Sequence, residues 1–237
     1  MIERAAGGDR AALARLITAL ETGDPSAQES AGGLDRSGAK RVGITGPPGA
    51  GKSTLVNAMI GELRSRGSTV AVLAVDPSSP ITGGALLGDR VRMQAHVDDP
   101  GVFIRSMASR GHLGGLALAA GGAIGLLAHA GFDQVVVETV GIGQSEVEVM
   151  DHVEVVVLVI APGWGDQIQV DKAGVLEVAD LVVVNKGDLG GATELRQALL
   201  AARPEHQTAL VTTATTGEGV GELVDAIAAM LSPRSPG

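Results

Sequence analysis

A lysine and a serine stand side by side at the end of a glycine-rich run, and that arrangement suits phosphate chemistry. The run is Gly46-Pro47-Pro48-Gly49-Ala50-Gly51-Lys52-Ser53-Thr54, which contains the pattern G-x-x-x-x-G-K-S. Glycines let backbone N–H groups turn inward around a β-phosphate with no Cβ in the way. A helix starting at the loop adds partial positive charge at its N-terminus. Lys52 can then reach the β- and γ-phosphates, and the Ser53 hydroxyl can hold Mg²⁺. The flanks are those the motif needs. A β-rich stretch, Arg41-Val42-Gly43-Ile44-Thr45, precedes it, and the helix-forming run Leu55-Val56-Asn57-Ala58-Met59-Ile60 follows. The chain is therefore expected to bind a nucleoside triphosphate.

A second group of residues bears on the base. Asn185-Lys186-Gly187-Asp188 follows the apolar run Leu181-Val182-Val183-Val184 and forms N-K-x-D at the end of a strand. The Asp188 carboxylate can accept from both N1–H and the exocyclic amine of guanine, an arrangement adenine does not offer. Asn185 can bridge the base edge and the phosphate loop, and the Lys186 stem can lie over the ring face. Further on, Thr213 and Ala214 follow another strand. The Ala214 N–H can meet the guanine carbonyl oxygen, or the segment is an ordinary strand-to-helix turn. A third group is acidic. Val135-Val136-Val137-Glu138-Thr139-Val140-Gly141 reads as E-x-x-G at a strand end, with the Gly141 amide placed to sense a γ-phosphate. Asp76 ends a similar apolar run, and Asp89 lies in Gly88-Asp89-Arg90, where a helix N-cap is the alternative role. Mg²⁺ takes hard oxygen ligands and few of them from protein. Ser53 with one or two of Asp76, Asp89 and Glu138 would suffice. Gln144 is a candidate for orienting water, with the start of a helix as the alternative.

These residues need an α/β frame to bring them together. The alternation predicts strands at 42–45, 70–76, 102–106, 134–138, 153–160, 181–185 and 209–213. Helices are predicted at 53–66, 89–95, 115–130, 144–150, 168–178, 193–202 and 219–231. Several strands are near-continuous Val/Ile/Leu runs, the pattern of parallel strands covered on both faces. The expected fold is a doubly wound, mostly parallel sheet with helices on both sides and ligands at the C-terminal strand ends. Residues 1–40 read as an N-terminal helical arm and linker: 11–20 have helical spacing, and 21–40 turn polar and Gly/Ser/Asp-rich. Residues 41–232 read as the nucleotide domain and 233–237 as a tail.

Composition narrows the partners. The 237 residues are 45% hydrophobic, enough for one large globular domain, yet only 1% aromatic, so Val, Leu, Ile and Ala must build the core. The net charge of −9 and the scarcity of stacking rings argue against nucleic acid and anionic membranes. Without cysteine, thiolate metal sites and Cys nucleophiles are excluded. No secretory signal is read at the start, and the apolar stretch 114–128 is too short to span a bilayer. A cytoplasmic protein is expected.

With these motifs in hand, the chain resembles the MeaB/ArgK group of G3E P-loop GTPases, which includes the methylmalonic aciduria type A protein. The resemblance rests on G-P-P-G-A-G-K-S-T from Gly46, V-D-P-S-S-P from Val75, G-D-R-V-R-M from Gly88, V-E-T-V-G-I-G-Q-S-E from Val137 and N-K-G-D from Asn185. The segment from Pro162 through Gly174 also resembles a switch particular to that group. The resemblance implies a GTP/GDP-binding, Mg²⁺-dependent GTPase with slow intrinsic hydrolysis. It implies a chaperone role toward an adenosylcobalamin-dependent acyl-CoA mutase. It implies Asp76, Asp89 and Glu138 around Mg²⁺, Ser53 as direct ligand, and Asp166 and Lys172 in the extra switch. Such proteins usually carry a helical C-terminal dimerisation arm. This chain stops soon after its last expected helix, so a homodimer is left open. Two other roles stay open: a GTP-dependent metal-delivery protein, and a transport-protein kinase that would use ATP.

Overall fold

The computed structural model describes residues 1–34, 38–77, 93–109, 115–139, 141, 144–163, 178–202 and 208–232. Among them, seven strands form one parallel sheet: β1 (Lys40–Thr45), β2 (Val70–Pro77), β3 (Val102–Ser109), β4 (Gln134–Thr139), β5 (Val155–Ile160), β6 (Leu181–Val184) and β7 (Thr208–Val211). Their spatial order is β3-β2-β4-β1-β5-β6-β7. Every pairing is parallel, as the apolar runs predict. The helices are α1 (Ile2–Ala6), α2 (Arg10–Glu21), α3 (Pro25–Gly32), α4 (Lys52–Ser65), α5 (Gly115–His129), α6 (Gln144–Met150), α7 (Ala192–Ala202) and α8 (Val220–Leu231), with a 3₁₀ turn at Gln94–His96. The sequence-predicted helix at 168–178 and most of that at 89–95 lie outside the described residues.

The pleat explains the composition of the strands. Successive side chains face opposite sides, and here both sides are covered. Val42 and Ile44 of β1 join Val155, Val157 and Val159 of β5 beneath α4 and α8. Leu73 and Val75 of β2 join Val135 and Val137 of β4 beneath α2 and α5. All six residues of β5 are buried. Central β1 lies between β4 and β5; it continues into α4 on one face of the sheet, whereas its neighbour β4 leads to α6, which packs with α5 on the other face. That divergence opens a crevice at the C-terminal strand ends, where the loop after β1 sits.

The stretch from Glu21 to Lys40, expected to be a linker or loose arm, contains the helix α3. Asp24 caps it through its Oδ1, accepting from the Ser26 and Ala27 amides, and Pro25 sits in its first turn. Small residues hid this helix from the periodicity: Ala27 and Ala31 are its buried face, packed with α2 into the core shared with α5. Helix α2 also covers the edge of the sheet. Arg10 donates to the carbonyls of Asp99, Pro100 and Val102 at one end of β3. At the other end Glu21 Oε1 accepts from the Ala108 N–H at 2.9 Å. A strand edge that would otherwise offer free backbone groups is closed.

Ile17 on α2 is fully buried in that core. Ile17→Ala is expected to destabilise the whole domain by about 2–5 kcal/mol, read as a lower urea midpoint for a single cooperative transition. A loosely attached arm would leave the midpoint unchanged.

Candidate functional site

The loop after β1 is held by backbone geometry that excludes side chains. At Gly46, φ is 144°, and a Cβ would lie 2.1 Å from the Val159 carbonyl oxygen of β5. At Gly51, φ is 91°, and a Cβ would lie 2.4 Å from Asn185 Nδ2. Gly51 is the left-handed residue from which α4 starts, so the amide-rich end of a 14-residue helix faces the loop. Lys52 and Ser53, the first two helical residues, are both only 6% exposed. Lys52 Nζ donates to the carbonyls of Gly46 at 2.7 Å and Pro47 at 3.0 Å. Phosphate oxygens are stronger acceptors for an ammonium than neutral carbonyls, so the lysine is placed to exchange one set for the other.

Beside the loop lies the carboxylate of Glu138. Strand β4 pairs directly with β1, and Ile44 is in register with Glu138. This brings together residues 85 apart in the chain: Ser53 Oγ donates to Glu138 Oε1 at 2.6 Å, both groups buried. A hydroxyl and a carboxylate at the phosphate end of a helix are the hard oxygen donors Mg²⁺ takes, with phosphate and water completing its shell. The pair fits that ion.

A second cluster centres on Asn185, which is 2% exposed. Its Nδ2 donates to the carbonyls of Ala50 at 3.0 Å and Gly51 at 3.4 Å. Its Oδ1 accepts from the Thr212 hydroxyl at 3.1 Å and the Ala214 N–H at 3.2 Å. One amide thus ties the phosphate loop to the loops after β6 and β7. Lys186 follows with φ 60°, the one non-glycine at positive φ among the described residues. A left-handed lysine is a strained backbone held by its surroundings. Lys186 and Asp188 line a cavity of about 180 Å³ together with Gly51, Thr54, Leu189 and Ala214. The Ala214 N–H is taken up by Asn185. Thr213 is buried, its N–H donating to the Glu218 carbonyl.

The remaining sequence-predicted residues divide in two. Asp76 is at the C-terminal end of β2, Gly141 two residues beyond β4, and Gln144 begins α6, so their backbones lie at the loop end of the sheet. Asp89, Asp166 and Lys172 lie outside the described residues. Three hydroxyls were missed from sequence. Thr212 bonds Asn185; Thr45 and Thr139 bond each other and the Gly141 carbonyl. The signal was there, since each stands at the C-terminal end of an apolar strand, where a buried hydroxyl must find a partner.

Comparison with known proteins places this geometry. Residues 13–232 match the family described as methylmalonyl-CoA mutase-associated GTPase MeaB. A Pyrococcus abyssi protein named as a GTPase is 50% identical, over 96% of this chain and 74% of its own. The mitochondrial methylmalonic aciduria type A homolog of Caenorhabditis elegans is 40% identical, over 81% of this chain and 53% of its own. A crystal structure of LAO/AO transport system kinase superposes with a TM-score of 0.75 at 31% identity, covering 97% of this chain and 73% of that one. Among the described residues, no helix is long and apolar enough to cross a membrane.

Removing the Asn185 side chain would leave the Thr212 hydroxyl without its acceptor and uncouple the two loops. Asn185→Ala is expected to weaken nucleotide binding roughly 10- to 100-fold, measured by titration with a fluorescent guanine nucleotide.

Proposed function

The chain belongs to the MeaB family of P-loop GTPases, and from that premise we propose that it binds GTP with Mg²⁺, hydrolyses it to GDP and phosphate, and thereby gates cobalamin loading of an adenosylcobalamin-dependent acyl-CoA mutase. One observation carries the nucleotide part: Asn185 bonds the phosphate loop with one end of its amide and the base-side loops with the other. Phosphates and base are therefore recognised by one connected frame.

Within that frame each residue has a task. Asp188 accepts from the guanine edge, and the Lys186 stem covers the ring. The amides from Gly46 to Thr54 cradle the phosphates. Lys52 leaves the Gly46 and Pro47 carbonyls to neutralise charge at the β- and γ-phosphates. Ser53 and Glu138 would hold Mg²⁺, with Asp76 and Asp89 as further candidates for its surroundings, and the ion would supply neutralising charge to the phosphate oxygens. The Gly141 N–H reports the γ-phosphate, and Gln144 is the candidate for orienting the attacking water. In-line attack then depends on positioning and charge rather than on covalent chemistry. Asp166 and Lys172 belong to the switch that conveys nucleotide state to the mutase, in a cytoplasmic setting.

The family description supports the mutase as partner, and the work is done by loops that order and release rather than by the product. A transport-protein kinase would need to accept ATP. In competition for the site, GTP is expected to exceed ATP by at least 100-fold, since adenine leaves Asp188 unpaired. Asp188→Asn replaces an acceptor with an amide that can donate to a C2 carbonyl, so its preference should move from guanosine to xanthosine nucleotides. Equal competition by ATP would contradict the guanine assignment.

Lys52→Ala is expected to reduce single-turnover hydrolysis by at least 100-fold. The wild-type rate should rise on adding an acyl-CoA mutase that co-purifies with the chain in the presence of a non-hydrolysable GTP analogue. Equal rates with and without the mutase would remove the switching role and leave the nucleotide chemistry standing.

A further inference from the structure

Two buried hydroxyls close the seam between the phosphate loop and the segment after β4. Thr45, the last residue of β1, is 3% exposed, and Thr139, the last of β4, is fully buried. Thr45 Oγ1 donates to the Gly141 carbonyl at 2.9 Å. A hydroxyl has one proton, so Thr45 must accept on its remaining lone pairs, and Thr139 Oγ1 donates to it at 3.1 Å. The longer 3.5 Å approach of Thr139 to the same carbonyl is the weaker option. The result is a directed chain from Thr139 to Thr45 to the Gly141 carbonyl.

That carbonyl belongs to a glycine at φ 121° that also forms an isolated antiparallel bridge with Gly46. Gly46 in turn supplies the carbonyl that holds Lys52 Nζ. Lysine, phosphate loop and Gly141 are thus joined through one short stretch of backbone. When Lys52 leaves the Gly46 carbonyl for phosphate, the threonine bond to Gly141 does not depend on that exchange. Burial alone does not call for threonine here, because valine has nearly the same shape without a hydroxyl to desolvate.

We infer that Thr45, backed by Thr139, is a positioning residue for γ-phosphate recognition: its hydroxyl holds Gly141 so that this glycine's N–H is preset to meet the third phosphate. The inference rests on the nucleotide reading above and deepens it. Thr45 touches no nucleotide atom and acts through Gly141. It should therefore discriminate between ligands. A diphosphate uses the phosphate loop, whereas a triphosphate uses the loop and Gly141 together.

The test compares a non-hydrolysable GTP analogue with GDP on the full chain with Mg²⁺. Thr45→Val is expected to lower the ratio of analogue to GDP affinity about tenfold, with GDP affinity within about twofold of wild type. In steady state kcat should fall more than KM rises. Thr45→Ser, which keeps the donor, should restore the ratio. Thr139→Val should give a smaller loss, about threefold, because the Thr45 donor remains. Thermal melts establish that each variant is folded, and if Thr45→Val does not fold, Thr139→Val carries the comparison. A folded variant with the wild-type ratio, or a Thr45→Ser protein as impaired as Thr45→Val, would overturn the assignment. Wild-type protein that binds neither guanine nucleotide would overturn the nucleotide reading itself and this inference with it.

Discussion

The chain leaves β1 through a gap that has no room for a Cβ. On one side is the Val159 carbonyl of β5, on the other the Gly141 backbone, and Gly46 passes between them at φ 144°. This close approach fixes where the phosphate loop begins. It also sets the loop's neighbours, because β5 and β4 flank β1 and their C-terminal ends must rise on either side of it. Glu138 comes to the phosphate side through β4. The β5–β6 pairing, continued by the Asn185 N–H to the Ile160 carbonyl, carries Asn185 to the base side. A side chain at Gly46 would force β1 and β5 apart and disturb both ends of the site.

The polar groups inside this crevice are bonded largely to one another. Lys52 is held by loop carbonyls, Ser53 by Glu138, and Asn185 at both ends of its amide. Burying such groups is costly unless they are paired, and paired groups of fixed geometry are what a preorganised phosphate site requires. The same bonds join loops from distant parts of the chain. That physical continuity is what a nucleotide switch needs.

The N-terminal helices belong to the same frame. Helices α2 and α3 cover α5, and α2 seals the edge strand β3 through Arg10 and Glu21. Helix α5 is rich in glycine and alanine, which permits close contact: the position of a Cβ on Gly122 lies 3.1 Å from a Leu20 methyl of α2, and that on Gly121 lies 2.6 Å from the His152 ring. The rigid backing that holds β2, β3 and β4 in place is thus built partly from residues that precede the nucleotide motifs.

Much of this was legible in the residues. Strands announced themselves as Val/Ile/Leu runs because a sheet covered on both faces leaves no polar position to interrupt them. The phosphate loop and N-K-G-D were legible because their requirements are local: glycine where φ is positive, a helix starting at Lys52, a carboxylate at a strand end. Helix α3 was less legible because alanine and glycine carry little periodic signal. The reach of Asn185 to the phosphate loop was legible; the threonine chain and the Thr212 bond to Asn185 were not, although hydroxyls at apolar strand ends marked residues in need of partners. Asn185 meets Ala50 across 135 residues, and Thr45 meets Gly141 across 96. Sequence by itself marked the short segments expected to handle phosphate and base. Only the tertiary structure decided which of their atoms meet, because that depends on the order β4-β1-β5-β6-β7, in which residues remote along the chain become neighbours across the strand ends.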